Sequence, residues 1–572
     1  MSSFFIYNPI MEKMVIYQVF TRLFGANAKE CVNNGTKKEN GCGKMADFTA
    51  AALAEVKKLG ATHIWYTGVI EHATKTDYTD CGIQKDHPAV VKGNAGSPYA
   101  IKDYYDIDPD LASKVPERMK EFELLVKRTH KAGLKMIIDF VPNHVARQYH
   151  SDAKPEGVRD LGEDDNTSWA FSLDNNFYYI PGAKFSPNFP LMDAEMGEYT
   201  EDPAKVTGND CFTQWAGIND WYETVKLNYG VDYQGSHQLV YSPEPPSTWL
   251  KMRDILLFWA SKGIDGFRCD MAEMVPCHFW GWVIPQVKEQ YPDIIFVAEV
   301  YNPNEYRNYI FNGHFDYLYD KVGLYDTLRS VVGGNTATSI TGAWQSVQDI
   351  QAHMLNFLEN HDEQRIASDF FVGSAEKGKP ALLVSALMQT NPMMIYFGQE
   401  LGERGMDEEG FSGRDGRTTI FDYWTVDTIR RWRNGGKFGT ALLTEAEQSL
   451  QQYYANVLNI CNSEAAIQQG EFFDIMYANY GRSMNEHRQY AFLRKSGKEL
   501  IIVIANFDGD AVTTGITIPQ HAFDYLSIPV TGKQKQAQDL LTGKKEKLTL
   551  TPDSPISIDL PAFGGKVLKI KL

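Results

Sequence analysis

No CxxC pair occurs among the seven cysteines, Cys31, Cys42, Cys81, Cys211, Cys269, Cys277 and Cys461. That removes zinc-ribbon and dithiol chemistry from consideration. An odd number scattered over a long chain reads as free thiols, with a Cys31–Cys42 bridge as the open alternative. No run of about 18 apolar residues is present, so no membrane span is expected. The start, MSSFFIYNPIMEKM, lacks a basic segment followed by an apolar one. No export signal is therefore expected and a cytoplasmic setting is favoured, a periplasmic or secreted one requiring a leader ahead of this sequence. Neither a phosphate P-loop nor a strand-linked GxGxxG occurs, which argues against nucleotide-dependent chemistry. Positive charge is also short: 56 Lys and Arg against 73 Asp and Glu leave a net −17. Such a surface repels phosphate backbones and anionic lipid, so neither nucleic acid nor membrane is an expected partner, and a neutral substrate is easier to accept than an acidic one.

What is present points to a large soluble chain. At 572 residues it exceeds one ordinary core, so a large domain with smaller ones attached is expected. Aromatics reach 13%; their flat faces suit sugar rings, although core filling accounts for most of them. One arrangement recurs: an amphipathic helix, a glycine, then a short apolar strand. It occurs at Asp47–Gly60 before ATHIWYT, at Phe122–Gly133 before LKMIIDFV, and at Met252–Gly263 before IDGFRCD. Each glycine stands where a helix takes a left-handed residue to stop. Eight strands are predicted near 14–20, 62–67, 134–140, 264–270, 294–300, 314–319, 354–358 and 393–398. Helices alternating with such strands imply a parallel sheet, and eight units imply a closed (β/α)8 barrel. The Asp-, Asn-, Pro- and Tyr-rich stretch 146–229 is too long for a loop and reads as a subdomain inserted after the third strand. It divides the barrel into 1–145 and 230–469. From 470 to 572 the pattern alternates apolar and polar residues, as in QYAFLRK, ELIIVIANF and KVLKIKL, which predicts a C-terminal β-sandwich.

The stretch GIDGFRCD (263–270) places ionisable groups inside an apolar strand. Side chains alternate, so Arg268 and Asp270 share the face turned into the barrel, while Phe267 and Cys269 face the helices. Taken alone, this could be a buried ion pair and nothing more. Three other strands also end in carboxylates: Asp139 before Phe140-Val141-Pro142-Asn143-His144, Glu299 after IIFVA, and Asp362 after Asn360-His361. The C-terminal rim is where barrel proteins keep their chemistry. Like charges gathered there split in pKa, and a pair of carboxyls with one proton is the equipment for glycoside cleavage. Arg268 is expected to keep Asp270 ionised, and the apolar strand before Glu299 to raise that carboxyl's pKa.

Four segments, DFVPNH (139–144), GFRCD (266–270), AEV (298–300) and ENHDEQR (359–365), together resemble the α-amylase family of glycoside hydrolases, and in this order they are highly specific. The resemblance implies a retaining, double-displacement cleavage of starch, maltodextrin or related α-glucans. Transglycosylation or isomerisation by the same machinery, or a non-catalytic sugar-binding relative, are the alternatives. It makes Asp270 the nucleophile, Glu299 the general acid/base and Asp362 the third acid. Arg268 would orient Asp270, His144 and His361 would bind hydroxyls, and Tyr99 would stack beneath the sugar. For the histidines and Tyr99 the plain alternatives are a satisfied core imidazole and a packing aromatic. No organic cofactor is implied. Ca2+ is the one inorganic ligand implied, with Asn143 at one site. The loop NNGTKKENGCGKMADF (33–48), where many members bind a metal, carries Lys and Asn where a hard cation wants Asp, so that site is expected to be empty or weak. Glu273 and Met274 stand where many members carry Lys-His. Oligomeric state is not indicated.

Overall fold

The computed structural model describes residues 13–572, so the reading of the first twelve residues falls outside it. The predicted helix–glycine–strand units form as expected. Thr49 opens α1 (Ala50–Leu59) by accepting from the Ala52 N–H, and Gly60 closes it at φ 115°. A side chain there would meet two obstacles: left-handed geometry costs about 1–2 kcal/mol, and its Cβ would lie 2.8 Å from Leu458 Cβ. Helices α2 (Arg118–Lys131) and α3 (Ser247–Ser261) are likewise followed by left-handed Gly133 and Gly263. Their apolar faces, with Phe122, Leu125, Met252 and Trp259, are buried.

Eight parallel strands close into a barrel in sequential order: β1 (Val15–Phe20), β2 (His63–Thr67), β3 (Lys135–Phe140), β4 (Gly266–Cys269), β5 (Ile295–Ala298), β6 (Tyr317–Tyr319), β7 (Met354–Phe357) and β8 (Met393–Tyr396). All eight predicted positions hold. Ile16, Trp65, Ile137, Val297, Phe357 and Met394 fill the barrel interior. Phe267 and Cys269 join the separate core between strands and helices. This alternation sends Arg268 inward, opposite Asp139 on β3 and Val297 on β5.

Two excursions cover the C-terminal rim. After β3 the chain leaves through His144–Ala146 and returns antiparallel to it through Thr224–Lys226. The exit and return lie side by side, so a long polar segment is anchored at its root. The other excursion follows β2 and pairs Ile70–His72 with Ile101–Ile107, a ribbon with no clear sequence signal. It delivers Tyr99 to the rim. Beyond α4 (Cys277–Gln290), α5 (Ser339–Ser346), α6 (Lys379–Leu387) and α7 (Glu445–Ser463) lies the sandwich. Its strands are β9 (Glu471–Asp474), β10 (Gln489–Ser496), β11 (Glu499–Asn506), β12 (Val512–Thr517), β13 (Gln534–Asp539), β14 (Lys545–Thr549), β15 (Pro555–Leu560) and β16 (Gly564–Lys571). They form a six-stranded sheet in the order β9-β10-β11-β16-β13-β14 and a β12–β15 pair. All seven cysteines are free. Among the described residues no helix is long and apolar enough to cross a membrane.

Phe267 tests the inward–outward alternation. It is fully buried on the helix side of β4, so Phe267→Ala is expected to cost about 3–5 kcal/mol. Denaturant unfolding monitored by circular dichroism checks this; a loss below about 1 kcal/mol would mean that β4 is wrongly oriented.

Candidate active site

The barrel ladder itself carries the acids to one rim. The Asp270 N–H donates to Phe140 O at 2.9 Å, and the Glu299 N–H to Cys269 O at 3.1 Å, so both residues continue the hydrogen-bond pattern one step past their strands. Asp362 is set differently. Asn360 Oδ1 accepts from the N–H groups of Asp362 and Glu363 at 2.9 and 3.0 Å, a side-chain turn that projects Asp362 into the mouth. Behind it, Arg365 pairs with buried Glu359 at 2.9 Å and fixes the loop. Asp270, Glu299 and Asp362 line one cleft of about 370 Å³, with Tyr99 and His144.

Arg268, 1% exposed, is the hub. Its Nη1 donates to Asp270 Oδ1 at 2.7 Å, and its Nε donates to Tyr319 Oη at 3.1 Å. Its Nη2 lies 2.7 Å from Glu299 Oε2, and Nη1 lies 3.6 Å from Asp139 Oδ1. The Glu299 contact is close enough for an ion pair but poorly aligned as a hydrogen bond; the aligned bond goes to Asp270. The faces of Trp65, Tyr99 and Tyr319 surround the guanidinium at 5.2–5.5 Å. Arg268 therefore reaches Glu299 as well as Asp270: one cation is divided between two acids. Burial pushes the Asp270 carboxyl well above its ordinary pKa, Arg268 opposes this, and neighbouring Glu299 adds to it. The expected influence of Arg268, which favours ionised Asp270, is present but is outweighed by desolvation, because its charge is shared.

Glu299 is held by more than the arginine. Its Oε2 accepts from the Met271 N–H at 2.8 Å, and its Oε1 lies 2.5 Å from Tyr301 Oη. Met271 sits in left-handed geometry at φ 42°, a strained conformation next to Asp270 that aims its N–H at Glu299. Burial raises Asp362, but His361, 3.0 Å from its Oδ2, more than offsets this and holds the carboxyl below its usual range. The Gln18 amide meets His361 Nδ1 at 2.7 Å, leaving Nε2 to face Asp362 and Tyr99 Oη. Tyr99 stacks on the His361 ring, with centroids 5.3 Å apart. Burial and nearby Lys226 lower His144 to a pKa of about 3, so it is a neutral imidazole. Sequence reasoning missed Tyr301, Tyr319 and the cleft aromatics Trp221, Phe411 and Phe421. Only Tyr301 had a local signal, an aromatic two residues beyond a strand-end acid. Glu273 turns out to face the chain: its carboxylate accepts from the Tyr301 and Asn302 N–H groups, both at 3.0 Å.

The implied calcium positions are filled by the chain's own cations. Asn143 Oδ1 accepts from Lys226 Nζ at 2.9 Å, and the same ammonium lies 2.6 Å from Asp210. In the 33–48 loop, Lys37 pairs with buried Asp110 at 3.2 Å. Lys44 Nζ caps Asp110 O. A divalent ion beside either ammonium would meet like charge, so these residues do not fit Ca2+. Among the described residues no cluster of three or more His, Cys, Asp or Glu could hold a metal.

A closed parallel barrel with convergent acids on its C-terminal rim defines the class: a (β/α)8 protein with its site at the strand ends. Within that class, the chain belongs to the α-amylase family, whose catalytic-domain model matches residues 33–471. It is similar to an α-amylase of Haloarcula japonica, 23% identical over 523 residues, covering 90% of this chain and 58% of that protein. A neopullulanase of Thermoactinomyces vulgaris is 22% identical over 467 residues, covering 79% and 63%. The chain thus spans less than two thirds of the length of these relatives. In fold it matches an α-amylase from Geobacillus thermoleovorans solved with acarbose, with TM-score 0.61, 18% identity and 98% of each chain covered.

Chelation distinguishes lysine from metal. Treatment with EDTA is expected to leave the thermal midpoint unchanged within error, whereas Lys226→Ala lowers it. The loss should be about 1–3 kcal/mol, below that of a fully buried pair, because Asp210 is 37% exposed. A large EDTA-induced drop in differential scanning calorimetry would contradict the fit.

Proposed function

We propose that the protein cleaves α-glucosidic bonds of starch, maltodextrin or a related α-glucan with retention at the anomeric carbon. One observation carries this reading: a single buried guanidinium holds Asp270 and Glu299 together at the ends of adjacent strands, inside the cleft that Asp362 also lines. The mechanism needs the anion on Asp270, which takes the aligned bond from Arg268, and a proton donor at Glu299, which lies beside the Tyr301 hydroxyl 2.5 Å away. The relatives, an α-amylase and a neopullulanase, fit the same substrate class.

In the first step Asp270 attacks the anomeric carbon while Glu299 passes its proton to the departing glycosidic oxygen. In the second, Glu299 takes a proton from the incoming hydroxyl, which displaces Asp270 from the sugar. Asp362 and His144 hold hydroxyls of the cleaved residue, His361 positions Asp362 and Tyr99 from the buried side, and Tyr99 lies beneath the sugar ring. Water as the incoming group gives hydrolysis; a sugar hydroxyl gives transfer. Product profiling with starch, pullulan and maltoheptaose tests both: shorter products support hydrolysis, and products longer than maltoheptaose show transfer. No cleavage of any of the three would overturn the reading.

Two variants separate the roles. Asp270→Asn is expected to lower kcat by about 10⁴-fold or more while the protein stays folded. Glu299→Gln should lose about 10²–10⁴-fold on maltooligosaccharides, yet retain the first step on a glycoside whose acidic phenol needs no proton to leave. Equal losses on both substrates would remove the acid assignment. The pH profile follows from Asp270. Its raised carboxyl must be ionised to attack, so on the acid side activity falls as pH drops through that raised pKa. The acid limb of kcat/KM should therefore stand above the ordinary aspartate value of about 3.9.

A further inference from the structure

The two turns that carry Asp270 and Glu299 are tied to each other by side chains outside the catalytic set. After β4 the chain passes through Met271 and a short helical turn, Ala272–Met274. After β5 it runs Glu299-Val300-Tyr301-Asn302. Glu273 Oε2 accepts from the Tyr301 and Asn302 N–H groups, both at 3.0 Å, and so fastens the second turn to the first. The Tyr309 hydroxyl holds the first turn from its other side, donating between Glu273 O and Val275 O at 3.0 and 2.9 Å. A carboxylate that takes two backbone N–H groups is a firm anchor, because both bonds are charge-assisted. The backbone of residue 301 is thereby fixed, and its side chain is aimed into the catalytic cleft that Glu299 also lines.

The two oxygens of Glu299 then meet different neighbours. Oε2 accepts from the Met271 N–H at 2.8 Å and lies 2.7 Å from Arg268 Nη2. Oε1 lies 2.5 Å from the Tyr301 hydroxyl. A proton on Oε2 would compete with a backbone donor and a cation, so the proton that cleavage requires belongs on Oε1. A hydroxyl beside that oxygen can accept while the proton is present and donate once it has gone, without moving its own oxygen. Burial and the carboxylates of Glu299 and Asp362 push the Tyr301 hydroxyl well above its ordinary pKa, so it keeps its own proton throughout.

We propose that Tyr301, held by Glu273, is the positioning residue of the acid/base: its hydroxyl keeps the transferable proton on Oε1 of Glu299 and takes up the charge left there when the proton departs. The proposal rests on the glycosidic cleavage proposed above. In its first step the Oε1–H bond breaks and the proton joins the glycosidic oxygen. The electron pair of the breaking C–O bond goes to that same oxygen, while Asp270 bonds to the anomeric carbon. Negative charge thus passes from Asp270 to Oε1, and the tyrosine bond is stronger in the transition state than before it. The second step returns the charge.

Tyr301→Phe keeps the ring in the cleft and removes only the hydroxyl. On maltoheptaose, kcat is expected to fall about 10- to 100-fold with KM nearly constant. The burst of phenol from a glycoside whose leaving group needs no proton should fall less than about threefold. The basic limb of kcat/KM should move to higher pH by about one unit, because the carboxylate has lost a donor. The other ionisable groups around Glu299 are Arg268 and Asp270 on the β4 side, Tyr319 on β6 and Asp362 across the cleft, and the substitution leaves all four in place. Glu273→Ala should move the limb in the same direction; Glu273→Gln, whose amide oxygen can still accept from both N–H groups, should move it less. An unmoved basic limb in Tyr301→Phe, or equal losses on the two substrates, overturns the proposal while glucan cleavage by the unaltered protein stands. If the unaltered protein cleaves no α-glucan, the function fails and the proposal with it.

Discussion

The guanidinium of Arg268 is the constraint on which the rim depends. A buried cation without partners costs several kcal/mol, and so does each buried carboxylate. Placing one arginine on the inward face of β4 makes the ends of the flanking strands, β3 and β5, favourable places for further acids. Asp139, Asp270 and Glu299 all face that single positive charge, and burial pushes the Asp139 and Asp270 carboxyls above their ordinary range in spite of it. The asymmetry among the rim acids is in that sense a solvation requirement of the barrel interior.

The barrel was legible because its information is local. Each strand is short, apolar and preceded by a helix stop, and the two faces of GIDGFRCD differ in kind. Phe267 and Cys269 went to the helix side and Arg268 to the interior, as alternation requires. The acids were legible for the same reason: a carboxylate directly after an apolar run has only one rim to occupy. What the pattern did not carry was the division of charge. Sequence spacing put Asp270 beside Arg268, two residues away on one strand, and said nothing of a guanidinium reaching sideways to Glu299, 31 positions further on.

The rest of the cleft was illegible because it comes from excursions whose positions are set by tertiary contacts. Trp221, Phe411 and Phe421 come from segments without periodicity. Tyr99 could be named only through the family pattern; the ribbon that carries it, Ile70–His72 with Ile101–Ile107, has no alternating signature. In the sandwich, β13 (QKQAQD) is almost wholly polar and becomes a strand because β16 and β14 flank it. Only its Ala537 and Asp539 are buried, so tertiary pairing overrode a weak intrinsic preference.

The lysines show the same electrostatic bookkeeping solved a second way. An excursion rooted by Asn143 and Asp210 gathers oxygens that need a cation, and a metal is one answer. Lys226 is another: it lies on the returning strand and pairs with both. The two answers differ in when the charge arrives. A bound ion joins after its cage has formed and leaves when its concentration falls; an ammonium is delivered by the same antiparallel pairing that closes the excursion. Lys37 and Lys44 around Asp110 repeat the arrangement in the first loop. With the charge built into the chain, the root of the excursion that carries Trp221 to the cleft is set by the same pairing that closes it.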